Sequence, residues 1–110
     1  MDFGMAIVAL KKGECVARSG WNGKGMFITL QNGFTVDGTL MRNEPAKNYY
    51  VNSKVHITPH IDMKAADDTY VVGWLASQTD MLAENWEIVK PTSIKDIIFE
   101  KNVRLNNGRY

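Results

Sequence analysis

Hydrophobic positions recur with two different periods along this chain, and each change of period marks the end of an element. Phe3, Ala6, Ile7 and Leu10 follow helical spacing and give one apolar face. Asp2 is a natural N-cap, Lys11 and Lys12 complement the C-terminal dipole, and Gly13 stands where a helix of this length stops. These signals predict a short amphipathic helix over residues 2–12. The period then shortens to that of strands, predicted at Cys15–Arg18, at 26–31 and, after an Asn32-Gly33 turn, at 33–36. Asp37-Gly38 is a second turn signal. Residues 41–50 are polar, contain Pro45 and are expected to form an exposed loop.

Alternation resumes beyond Ser53. Val55, Ile57 and Ile61 lie on one face, and Lys54, His56, Thr58 and His60 on the other, with Pro59 marking an edge strand or a bulge. Asp67-Asp68 turns the chain into a strand over 69–75, on which Tyr70, Val72 and Trp74 share a face. Ser77 then caps a helical turn through Met81 and Leu82, and Trp86–Val89 returns as a strand closed by Pro91. The expected fold class is α+β: one N-terminal amphipathic helix on a small, mainly antiparallel sheet. Residues 1–90 form the domain and 91–110 an extension. Ile94, Ile97, Ile98, Phe99, Val103 and Leu105 give that extension apolar surface to bury, on the domain or at a subunit interface.

Composition narrows the function. The 110 residues, 45% hydrophobic and 23% charged, suit a single small globular domain. Thirteen basic and twelve acidic residues are scattered without a basic stripe, so no nucleic-acid polymer is expected as partner. No apolar run approaches a membrane span, and the start of the chain lacks a signal peptide's charged and apolar regions. The lone Cys15 suits the cytosol and is expected to be a buried apolar residue.

Candidate chemistry is uneven. His56, His60 and Asp62 suggest a metal, but in one strand the histidines would lie roughly 13 Å apart, too far for ligand distances of about 2.1 Å. No metal or other cofactor is expected. Neither a nucleophile elbow nor a P-loop, dinucleotide fingerprint or zinc-hydrolase motif is present. A carboxylate site would have to bring Asp62, Asp80 and Glu84 together in space, and no local spacing points to one. The tryptophans are more informative. Trp21 sits among Gly20, Gly23 and Gly25 with few apolar neighbours in sequence, as suits a ring that stacks on a planar ligand beside free backbone amides. Trp74 and Trp86 bracket Ser77, Gln78, Thr79, Asp80 and Asn85. Trp86 alternates with Ile88 and reads as core, whereas Trp74 is open to either role. Ser77, Thr79 and Asp80 read first as helix-capping groups, and a helix start with free amides also suits phosphate oxygens.

Four motifs occur in order: Phe3-Gly4 with Ala9-Leu10-Lys11; Val16-Ala17-Arg18 running into Gly20-Trp21-Asn22-Gly23-Lys24-Gly25-Met26; Pro59-His60-Ile61-Asp62-Met63-Lys64; and Trp74-Leu75-Ala76-Ser77-Gln78-Thr79-Asp80 with Leu82-Ala83 and Trp86. Over residues 1–90 this pattern resembles the phage Thoeris anti-defence sponge family. The resemblance implies a homo-oligomer, a tetramer, in the host bacterial cytosol. Such a protein sequesters cyclic ADP-ribose-type signals, glycocyclic ADP-ribose above all, without cleaving them; relatives also hold cyclic oligonucleotides at separate sites. On that footing the purine would stack on Trp21 or Trp74. Diphosphate oxygens would meet Ser77, Thr79, Asn22 and backbone amides, and Asp80 or Asp62 would accept from ribose hydroxyls. Arg18, Gly23, Gln78 and Asn85 complete the expected binding set. Asn85 departs from the acidic residue of the family's Ala-Glu-Asp-Trp pattern, and the extension lies outside the match. Two other readings stay open on the residues alone: an enzyme that degrades such a signal, and a phage structural protein.

Overall fold

A computed structural model describes residues 1–21 and 25–93. Helix α1 spans Phe3–Lys11, with the Asp2 carboxylate accepting from the Met5 amide and Gly13 leaving the helix at φ +90°. The capping residues read from the sequence act as expected. Seven strands follow: β1 (Cys15–Arg18), β2 (Phe27–Gln31), β3 (Phe34–Asp37), β4 (Lys54–Ile57), β5 (His60–Lys64), β6 (Tyr70–Val71) and β7 (Trp86–Val89). Two short helices, α2 (Glu44–Tyr49) and α3 (Gln78–Leu82), complete the described elements with a 3-10 turn at Gly38–Leu40.

The main sheet is antiparallel, in the order β6-β5-β2-β1-β7. Directly paired residues share a face, so Ile88, Val16, Ile28, Met63 and Val71 form one apolar row across all five strands. Helix α1 covers the middle of that row. Ala6, Ala9 and Leu10 pack there with Val16, Ile28, Met63 and Trp86, while Ile88 and Val71 at the sheet margins stay partly open. Fold class and N-terminal helix agree with the sequence.

Three local expectations are corrected. Asn32-Gly33 does not reverse the chain. Gln31 is paired with His60 and Phe34 with Ile57, three residues further along each strand, so one register runs from β2/β5 into β3/β4. Ladder bonding breaks between them because Pro59, opposite Asn32, has no N–H, and a Cβ on Gly33 would come within 3.1 Å of the proline ring. The two strand pairs are halves of one long hairpin. The ladder break at Pro59 nonetheless separates His56, on β4, from His60, on β5, into different sheets.

The second correction lies at the hairpin's far end, where the expected loop over 41–50 contains α2. Asn43 caps it by accepting from the Ala46 amide, and Pro45 occupies its first turn, where no N–H is needed. Finally, the strand expected over 69–75 shrinks to Tyr70–Val71, since Gly73 at φ +82° redirects the chain.

Candidate functional site

Three tryptophans meet at one end of the sheet. Trp86 opens β7 opposite Arg18, is 2% exposed, and donates its indole N–H to the Asp80 carbonyl at 2.9 Å. Trp21 stands edge-on to it at 5.3 Å and 78°, Trp74 at 6.4 Å and 76°. Trp21 and Trp74 meet at 6.2 Å and 73°, and Phe3 closes the other side of Trp86 at 5.3 Å. Edge-to-face contact sets the positive rim of one ring against the negative face of another. Trp86 is core, as its alternation with Ile88 suggested. Trp21 and Trp74 are half-buried and packed against that core. The scarcity of apolar neighbours around Trp21 in sequence is made good by partners distant along the chain.

Beside the rings lies a polar cluster assembled from β1 and α3. Ser77 and Asp80 form a reciprocal capping box, with the Ser77 hydroxyl accepting from the Asp80 amide and the Asp80 carboxylate accepting from the Ser77 amide. The other Asp80 oxygen meets Arg18 Nη1 at 2.9 Å, and Arg18 Nε donates to the Asn85 side-chain oxygen at 3.0 Å. The side chains of Arg18 and Asp80 are only 19% and 15% exposed. Asn85 also holds the turn before Trp21, its carbonyl accepting from the Ser19 amide. With Asn85 neutral, Asp80 supplies the negative charge opposite Arg18. Five of the expected residues (Arg18, Ser77, Asp80, Asn85 and Trp21) thus come together, with Trp74 alongside. Gln78 and Thr79 are exposed on α3. Asn22 and Gly23 lie outside the described residues.

Burial pushes the Asp80 carboxyl upward, but hydrogen bonds from Arg18 and Ser77, with the Arg18 charge, outweigh it and hold the group below the usual carboxylate range. A depressed folded value stabilises the protein above the unfolded value of about 3.9, and that contribution is lost as pH falls through the folded value. Asp80→Asn should therefore be less stable than wild type at neutral pH, and the difference should shrink below about pH 4. Asp37 and Asp67 are also held low, by turn hydrogen bonds from Thr39 and Thr69. Both remain in the variant, so their effects cancel when denaturant midpoints of the two proteins are compared across pH.

Asp62 is not placed as expected for a ribose contact. It is 3% exposed, accepts from the Gly73 amide at 2.9 Å, and lies 3.4 Å from His60 Nε2. Tyr70 is its third neighbour: burial, then the Asp62 charge, raises the phenol's pKa. His60 Nδ1 in turn faces the Thr58 carbonyl. His60 and Asp62 stand together as the sequence grouped them, though as a close imidazole–carboxylate pair on β5, and Tyr70 joins them only through the β5–β6 pairing, which no local spacing announces. Among the described residues no cluster of three or more His, Cys, Asp or Glu side chains can hold a metal ion. Cys15 is half-buried rather than buried, and burial followed by the Glu14 charge raises its pKa, which keeps the thiol protonated at neutral pH.

Among the described residues, two concavities take in residues of the expected binding set. One recess of about 240 Å³ is lined by Arg18, Ser19, Trp21, Met26, Phe27 and Glu87 among others. A groove of about 470 Å³ lies on the face of the sheet away from α1, lined by Phe34, Leu40, Ile57, Tyr70 and Val72 with His60 and Asp62. Ser19, Met26 and Phe27 were not singled out from the sequence. Their presence beside Trp21 follows from the β1–β2 pairing.

This small α+β domain, with its tryptophan corner clasped by an Arg–Asp pair, belongs to the Thoeris anti-defense 2-like family, whose domain matches residues 1–89. It is 42% identical over 89 residues to Thoeris anti-defense 2 of Bacillus phage SP01, covering 81% of this chain and 94% of that protein. Family membership supports an anti-defence role. No described helix is long and apolar enough to cross a membrane.

Proposed function

We propose that this protein is a sponge. It binds a cyclic ADP-ribose-type signal, glycocyclic ADP-ribose foremost, and sequesters it uncleaved in the host cytosol, so that the Thoeris effector is not activated. The observation that carries this reading is the recess where half-buried Trp21 adjoins Arg18. Trp21 offers an aromatic surface for a purine. Of the five N–H donors on a guanidinium, two are engaged by Asp80 and Asn85, and the rest suit diphosphate oxygens.

Absence of cleavage fits the state of the groups that would be needed for it. Asp80 is ion-paired and capping, Asp62 is buried and hydrogen-bonded, and the Cys15 thiol is held protonated. The recess, at about 240 Å³, falls short of the 300–1,000 Å³ or so usual for small-molecule sites. A second copy of the chain supplies the missing wall in this reading, within a homotetramer. The exposed Val72, Leu75 and Leu82 are apolar surface available for such contacts.

Incubation with glycocyclic ADP-ribose followed by heat denaturation tests the proposal. Intact nucleotide should be depleted from solution by the native protein and recovered on denaturation. An altered product would make the protein an enzyme, and no depletion would favour a structural role. Light scattering on the same sample should give a multiple of the 12.4 kDa chain mass; a monomer would remove the shared-site element.

A further inference from the structure

We propose that Asp62 is a positioning residue: its buried carboxylate, by holding the Gly73 amide, turns the Trp74 indole off the groove face of the sheet and onto Trp21. The value of that placement for binding rests on the sponge reading; the placement itself does not.

Pairing fixes the faces. Tyr70 is opposite Lys64 and Val71 is opposite Met63, so Val71 points to the α1 side and Tyr70 to the groove side. Simple alternation would send Val72 to Val71's opposite and Trp74 with it. Tyr70 and Val72 do line the groove, beside His60 and Asp62. Trp74 does not follow them, and packs instead with Trp21 and Trp86 against the core on the α1 side. The change of face occurs at Gly73, whose φ of +82° is open to glycine and costly for other residues. Two successive amides then converge on β5. Gly73 N–H donates to Asp62 Oδ1 at 2.9 Å, and Trp74 N–H donates to the Ile61 carbonyl at 2.6 Å.

A carboxylate that is 3% exposed is costly unless its hydrogen-bonding capacity is used. Here it is used at the one point where the chain must leave the alternation of β6. The same burial leaves Asp62 badly placed to meet a ligand. An asparagine there would keep both the shape and an oxygen for Gly73, whereas leucine would leave the Gly73 amide without its acceptor.

The test compares Asp62→Asn, Asp62→Leu and Gly73→Ala in the full chain. Heteronuclear NMR reads the Trp74 indole N–H peak, assigned by its loss in Trp74→Phe, and its ring Overhauser contacts to Trp21. Titration with glycocyclic ADP-ribose reads affinity. Asp62→Asn should keep the Trp21–Trp74 contacts and the affinity. Asp62→Leu should lose the contacts and bind at least about fivefold more weakly, the lower end of the range for one base–aromatic contact. Should Asp62→Leu not fold, Gly73→Ala decides. A Cβ there meets nothing within 4 Å, so the substitution acts on the backbone turn alone, and it should also displace the ring.

Ring contacts preserved in both Asp62→Leu and Gly73→Ala, with only a lower melting temperature, would reduce Asp62 to a stabilising residue and overturn the proposal. Affinity lost in Asp62→Asn with contacts intact would make Asp62 a ligand contact and overturn it as well. Wild-type protein that binds no probe would sink the sponge reading, while the ring contacts, measured without ligand, still judge this one.

Discussion

Trp86→Ala should destabilise the protein by about 3–5 kcal/mol, the usual cost of emptying a tryptophan site in a core. Trp86 is 2% exposed, and Phe3, Trp21 and Trp74 surround it on three sides. Alanine would leave a cavity where α1, β1 and α3 converge, and α3 would also lose the indole N–H that holds the Asp80 carbonyl. For a domain of this size each kcal/mol moves the midpoint by about 4–8 °C, so thermal unfolding should shift downward by roughly 12–40 °C. Trp86→Phe should fall between the two, keeping most of the packing and losing the hydrogen bond. A loss below about 1 kcal/mol in Trp86→Ala, on the scale of an exposed surface substitution, would mean that the tryptophan corner does not anchor α3.

What the sequence revealed was what neighbouring residues decide among themselves. Asp2 and Gly13 bound α1, and Ser77 with Asp80 starts α3, because a cap needs only residues within one turn. Asn43 and Pro45 were equally good start signals for α2. The polarity of residues 41–50 and the presence of Pro45 point to an exposed loop instead, and α2 buries none of its residues. The Asn32-Gly33 pair has hairpin chemistry, but a continuous register between the flanking strands outweighs a local turn preference. Trp74 was assigned to the face of Tyr70 because alternation was carried through Gly73. A glycine inside a strand pattern was the available warning.

The polar half of the site was legible only as a set of residue types. Arg18 and Asp80 are 62 positions apart, and nothing near either one announces the other. They meet because β7 returns alongside β1 in antiparallel register, setting Trp86 against Arg18 and bringing the preceding α3 turn up to the guanidinium. Glycines around Trp21 marked a segment that lets backbone approach a neighbour closely. They could not reveal that the ring leans on two other indoles, and this changes what its removal should do.

Trp21→Ala should lower stability and affinity together. The ring is half-buried and edge-on to Trp86 at 5.3 Å, so its loss opens space beside the core rather than merely trimming a loop. About half the 3–5 kcal/mol of a fully buried tryptophan is the expected stability cost. If the indole also stacks on a purine, affinity should fall by a further 1–3 kcal/mol or so, about five- to more than a hundredfold in Kd. The two effects separate when affinity is measured well below each variant's melting temperature, where every molecule is folded. Trp21→Phe sharpens the separation. A phenyl ring restores much of the contact with Trp86 and Trp74 but offers a purine less surface, so the melting temperature should recover further than the affinity. Unchanged affinity for glycocyclic ADP-ribose in folded Trp21→Ala would make the ring a wall of the core alone. The purine would then have to be held elsewhere, with the half-buried Trp74 the next indole to test.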